Sequence, residues 1–294
     1  MQKNIIQIIS KATLILFLGS GVFCVTSCLN IQPIQGQSLT YIQKRNNVFK
    51  LMENADKLIK EGSQESLSNA LKTYESGIRL SAEIGYVGGV AFGFAGLGNV
   101  YEKLGENETA FKSFMTALNY ARQSNDNMLE GIVLNRIGIS HHSSGDFKKA
   151  LEYFTQALDL NKVNSNSWGE INSLVNIGSV YSSLGENRLG IEFYEKALKI
   201  AQSTNENSVE AGIINSIGYS HYSNHRLEDA FKAYRIAFDI SSKNKDVSTQ
   251  VVVLNNMAAF HNRIGDSKRA LNNLFQALQI LRKNSFDRNK KYLS

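Results

Sequence analysis

The run FAGLGNVYEKLGENETAFKSFMTA, residues 94–117, decides the fold. It sets large apolar residues at Leu97, Tyr101 and Phe114 against small ones at Gly98, Ala110 and Ala117. Gly105 punctuates the two halves. The pattern returns every 40 residues. Ala117 is followed by Ala157, Ala197, Ala237 and Ala277, and Leu97 by Ile137, Ile177, Ile217 and Met257. Gly98 is followed by Gly138, Gly178, Gly218 and Ala258, and Phe114 by Phe154, Tyr194, Tyr234 and Leu274. A fixed period of this length, kept without an insertion, means stacked supersecondary units. Small residues at 98 and 110 let two helices approach, and large ones at 97 and 114 fill the space between them.

The same columns predict the turns. Gly105, Gly145, Gly185 and Gly265 fall where a chain reversal needs positive φ, which glycine takes at no steric cost. His225 breaks that column and predicts a less regular fourth turn. Asp146 and Asp266 are placed to cap the second helix of their repeats. Asn127-x-x-Glu130, Ser167-x-x-Glu170 and Asn207-x-x-Glu210 read as capping boxes that open the first helix, and Val247 lacks one.

The repeat resembles the tetratricopeptide repeat, whose motif runs W-x₂-L-G-x₂-Y and then A-x₃-F-x₂-A. Here it reads Phe94-x₂-Leu97-Gly98-x₂-Tyr101, then Ala110-x₃-Phe114-x₂-Ala117. Phe94, Leu134, Leu174, Ile214 and Leu254 replace the tryptophan. The proline after the second helix is missing, so the six residues beyond the usual 34 are expected to lengthen the helices. Residues 43–85 fit as a degenerate first repeat, with Ala70, Tyr74 and Gly77 in register. The resemblance implies an all-α tetratricopeptide solenoid, a right-handed superhelix of about six helix pairs over residues 43–283. Residues 284–294 read as a basic, frayed tail.

At 294 residues, length alone suggests about two domains, and the repeat replaces that with one array. The lone proline, Pro33, agrees with a helical chain. Two cysteines, Cys24 and Cys28, exclude a disulfide framework. The formal charge of +6 raises a nucleic-acid reading until it is divided. Residues 1–27 carry net +2, residues 282–294 carry net +4, and everything between sums to zero. A neutral body argues against nucleic acid.

The N-terminus reads as an address. A weakly basic start precedes an apolar run of about 14 residues, Ala12 to Val25, too short for the roughly 20 residues of a membrane span. Val25-Thr26-Ser27-Cys28 then resembles a bacterial lipobox. That resemblance implies a signal peptide over 1–27, lipidation of Cys28, and a lipidated tether over 28–42. Two acyl chains give stable anchoring. Leu29 after the cysteine implies the outer membrane, periplasmic or surface-facing.

No catalytic motif is present: the chain has no G-x-S-x-G, C-x₂-C, H-E-x-x-H or P-loop. His141, His221 and His261 share the motif column of Tyr101 and Tyr181. Equivalent positions one repeat apart lie too far from each other for a shared zinc ion. That column is expected to hold half-buried interhelical rings, with no metal and no cofactor. The family resemblance places ligand contacts three residues before the motif glycine and one and four after it. On this sequence that selects Asn135, Asn215 and Asn255, then Asn99 and Tyr219, then Tyr222. An asparagine row offers donors and acceptors to an extended backbone. The expectation is a membrane-anchored scaffold lipoprotein of the bacterial envelope that binds proteins or peptides and is not an enzyme. The rival is a peptide-sensing regulatory module without its own effector domain.

Overall fold

The computed structural model describes residues 34–204 and 206–293, and the side chains of 40–204, 206 and 208–284. Cys28 and the 1–27 leader lie outside the described residues. The chain divides into two units, residues 1–42 and residues 43–294, and the second holds the repeats.

Twelve helices and no strand occur among the described residues. They pair as α1 (Ile34–Glu61) with α2 (Gln64–Glu83), α3 (Val87–Lys103) with α4 (Asn107–Ser124), and α5 (Asn127–Ser143) with α6 (Phe147–Val163). Then come α7 (Ser167–Ser183) with α8 (Asn187–Ser203), α9 (Asn207–Ser223) with α10 (Leu227–Lys243), and α11 (Val247–Arg263) with α12 (Ser267–Leu293). The odd-numbered helix of each pair is its A helix and the even-numbered one its B helix. From α5 to α11 every helix has 17 residues. The period of 40 is therefore two such helices and two three-residue turns.

Close approach within a pair depends on the motif glycine. A Cβ on Gly98 would sit 2.4 Å from the Phe114 ring, and one on Gly138 2.5 Å from Phe154. Phe114, Phe154, Tyr194 and Tyr234 are buried under these glycines. The next repeat's A helix closes over the ring: Phe154 shares a core with Ile171, Leu174 and Ile177. Burial of each such ring contributes about 1.5–3 kcal/mol.

Both turns of a repeat use one device. Gly105 has φ 78°, Gly105 N–H donates to Glu102 O (3.1 Å), and Glu106 N–H donates to Tyr101 O (2.9 Å). This is a Schellman closure. His225 does not disturb it, contrary to the sequence expectation. It takes φ 59°, and Arg226 N–H donates to His221 O at 2.9 Å. Arg263 holds the His225 ring at Nδ1 (2.7 Å). Between repeats Asn125, Ser165 and Lys245 adopt the left-handed conformation with φ of 53–57°.

The caps are shifted by one from the expected boxes. Asp126 and Asn166 are the N-caps of α5 and α7, accepting from Leu129 and Gly169 N–H. Glu206 precedes α9 without a side-chain cap, and Asp246 caps α11, where no box was expected, accepting from Thr249 N–H. Asn127, Ser167 and Asn207 are already the first helical residues. Glu130 turns instead to Arg122 (2.7 Å). Asp146 and Asp266 cap α6 and α12 as their sequence positions require.

The boundaries at both ends also differ. Helix α1 begins at Ile34, inside the stretch read as a tether, and α12 runs to Leu293 through the stretch read as a frayed tail. No glycine or proline follows Gly265, so nothing in the sequence stops α12 earlier.

Candidate functional site

Successive A helices touch one another, α3 with α5, α5 with α7, α7 with α9 and α9 with α11. Successive B helices from α4 onward make no such contact. The A helices therefore line the tighter, concave side.

The expected asparagine row does not form there. Asn135 is buried, its Nδ2 donates to Ser173 Oγ (3.0 Å), and its Oδ1 accepts from Asn176 Nδ2 (3.4 Å). Asn215 is buried and accepts from Asn256 Nδ2 at 2.8 Å. Both asparagines are rungs between adjacent A helices: Asn135 uses both amide atoms there and Asn215 its Oδ1. At this column Asn135 and Asn215 each face the A helix that follows. Asn255, in the same column, is exposed because no A helix follows α11 among the described residues. Tyr222 is half-buried: its hydroxyl donates to Ala259 O (3.4 Å) and Arg263 lies over its ring (4.7 Å). Tyr219 is exposed on the concave side.

Asn99 belongs to a real recess. With Asp56, Ile59 and Lys60 of α1, Glu102 and Lys103 of α3 and Arg136 of α5 it lines a polar hollow of about 400 Å³. Asn99 Oδ1 is buried without a hydrogen-bond partner among the described residues. Burial pushes the Glu102 carboxyl up, opposed by Arg136 and by the hydrogen bond from Ser140. Asp56 also borders a larger, apolar cavity of about 490 Å³ formed by the same three A helices. Its wall is Val48, Phe49 and Met52 from α1, Phe92 from α3, and Met128 and Ile132 from α5. Phe49, Phe92 and Met128 stand exposed at its mouth, and Trp168 continues the line on α7. These residues escaped the sequence reading because they occupy columns 88, 89 and 92 of the repeat, which carry no motif residue. The legible signal was there: Phe92, Met128 and Trp168, the chain's only tryptophan, are large apolar residues off the core columns.

The histidine column is aromatic packing. His141 stacks on Tyr153 and meets Phe111 edge-on. Tyr181 stacks on Phe193, and His261 meets Phe231 edge-on. Burial lowers the pKa of His141, His142, His221 and His261 from the ordinary imidazole value. Among the described residues no three His, Cys, Asp or Glu side chains converge on one point. Among them too, no helix is long and apolar enough to cross a membrane.

Sequence models of the tetratricopeptide repeat match residues 91–162 and 171–204. A model of anaphase-promoting complex subunit 5 matches residues 216–289. No curated protein matches the chain. Solved structures share the fold at low identity. BtubC (BKLC) from P. vanneervenii aligns with TM-score 0.62 and 18% identity, over 74% of this chain and 92% of that one. The apo form of RapI aligns with TM-score 0.60 and 15% identity, over 83% and 99%. A Rap protein complexed with competence and sporulation factor aligns with TM-score 0.60 and 14% identity, over 84% and 73%.

Proposed function

For a chain that belongs to the tetratricopeptide repeat family, we propose a non-catalytic scaffold that binds an extended protein segment across α1, α3 and α5 and is held at a bacterial envelope membrane through lipidated Cys28. One observation carries the binding reading. The apolar cavity and the polar hollow lie side by side on the same three A helices and share Asp56. An apolar side chain of the ligand fills the first. Its backbone runs on past Asn99, Glu102 and Arg136, which offer an acceptor, a carboxylate and a guanidinium. The kinship in fold with a Rap protein complexed with competence and sporulation factor supports ligand capture by such an array.

The anchor rests on the sequence: the short basic start, the apolar run and Val25-Thr26-Ser27-Cys28. With the leader removed, the address puts the protein on the outer membrane. In cells labelled with palmitate, Cys28→Ala is expected to lose the label and release the chain from membranes. Retention of label in that variant contradicts the anchor. The groove is tested separately with a phage-displayed peptide library selected on the purified chain. Selected peptides are expected to share a large apolar residue and to lose binding to Met128→Arg by about tenfold or more. Peptides that bind Met128→Arg equally contradict the cavity.

The second reading is a peptide-sensing regulatory module that delivers its signal through a separate effector. The Rap alignments, which span 83–84% of this chain, favour it over other non-scaffold roles. A chain that stays soluble and moves its helices on binding a selected peptide supports that reading over the anchored scaffold.

A further inference from the structure

Helices α11 and α12, the last described pair, carry a second site. In every earlier repeat, the ring at the Phe114 column is buried by the A helix that follows. In the last repeat that position is Leu274, 43% exposed, with Leu271 at 55%, Leu278 at 48% and Phe275 at 63% beside it. Phe275 stands where the earlier B helices carry Met115, Thr155, Glu195 and Arg235. The apolar face is thus widened by one column at the place where it is uncovered.

The shape is as specific as the composition. A groove of about 500 Å³ runs between α11 and α12, lined by Asn255, Ala258 and Asn262 on one side and by Ala270, Leu271 and Leu274 on the other. This is the notch into which each following A helix fits in the interior. Asn255 occupies the column from which Asn135 reaches Ser173 and Asn215 accepts from Asn256 of the next helix. Charge adds to shape. Among its described side chains helix α12 carries Lys268, Arg269, Arg282 and Lys283 and no carboxylate, and Asp266 at its N-cap pairs with Arg269 alone.

We propose that this groove docks an amphipathic, acidic α-helix of a partner protein, seated where a further A helix would lie. The inter-repeat interfaces supply its pattern: apolar residues spaced like Ile171, Leu174 and Ile177, and an amide or hydroxyl opposite Asn255. A second copy is disfavoured because two such basic helices repel. A lipid surface is disfavoured because a bilayer does not enter a notch between two helices. The site is distinct from the concave cavity and stands or falls without it.

The probe is a helix-stabilised, labelled peptide of residues 167–183 with Asn172→Glu and Ser179→Glu, titrated by fluorescence anisotropy into the full chain. Its control carries lysine at both positions. The acidic peptide is expected to bind about tenfold more tightly than the basic one at low salt, and to weaken as salt screens the charges. Leu278→Glu, at an exposed site that leaves the melting curve unchanged, is expected to weaken it a further tenfold or more. Asn255→Ala is expected to weaken it severalfold, and Met128→Arg to leave it unaltered. Absence of binding, or binding indifferent to Leu278→Glu, overturns the proposal. So does a sedimenting dimer that Leu278→Glu dissociates, which assigns the face to a second copy. Capture by phosphatidylglycerol vesicles that Leu278→Glu abolishes assigns it to lipid and overturns it equally.

Discussion

Asn215 and Asn255 occupy one column of the repeat, 40 residues apart, and live in different environments. Asn215 is buried and bonded to the next A helix, whereas Asn255 lies exposed on the rim of an open groove. Ala258 and Leu274 likewise replace the glycine and ring that make every interior pair close. In an array where each unit touches only its neighbours, a residue's role is set by what stacks on it as much as by its own identity. The interior columns build the structure, and the same columns at the end build a surface.

Substitutions paired across that boundary test the difference. The largest effect is expected at the glycine column. Gly138→Ala forces a Cβ into the Phe154 ring and is expected to destabilise by about 1–3 kcal/mol. Ala258→Gly, next to the smaller Leu274, is expected to cost no more than the intrinsic helix penalty of about 1 kcal/mol. Thermal denaturation followed by circular dichroism measures both. If the two melt alike, the close-packed interior is not what separates the regions. Next comes the asparagine column. Asn215→Ala removes the acceptor for Asn256 and is expected to cost about 1 kcal/mol. Asn255→Ala is expected to stay within about 0.5 kcal/mol of the parent. Equal costs in urea denaturation contradict the assignment of Asn215 as a rung.

Smaller effects sharpen the picture. His225→Gly places in the fourth turn the residue that the other turns use at the same left-handed φ. A gain of about 0.5 kcal/mol is expected, reduced by the lost Arg263 contact. A loss in chemical denaturation means that the Arg263 contact outweighs the relief of backbone strain. The smallest is a pH dependence. Burial holds the pKa of His141, His221 and His261 below the ordinary value. As pH falls below about 6.5, the unfolded chain takes up protons that the folded rings resist, so stability falls. Partial solvent access keeps this modest. Replacing His141 and His221 by tyrosine, the residue at Tyr101 and Tyr181, is expected to flatten the acid limb of the melting temperature. An unchanged limb assigns the acid loss to other groups.

The helix pairs, their period and the turn glycines were legible because the 40-residue columns encode direct packing, Gly98 against Phe114 and Gly138 against Phe154. The caps were misplaced by one because Asn127 and Asp126 both have capping chemistry, and only the turn geometry chooses between them. At the ends the repeat columns run out, and the bounds Ile34 and Leu293 follow from helix continuation and not from packing columns. The site was the least legible part. A row of asparagines carries hydrogen-bonding capacity but not its direction, and stacking turned Asn135 and Asn215 inward. The cavity was encoded in Phe92, Met128 and Ile132, whose meaning depends on three helices brought together from separate repeats.

The central claim is that ligand enters over the apolar cavity of α1, α3 and α5 and not along the asparagine column. A photo-crosslinking amino acid placed in turn at Phe92, Met128, Asn135 and the convex Val163 of the full chain, irradiated in living cells, tests this most directly. Discrete adducts are expected from positions 92 and 128 and none from 135 or 163. Adducts from position 135 with none from 92 or 128 contradict the claim.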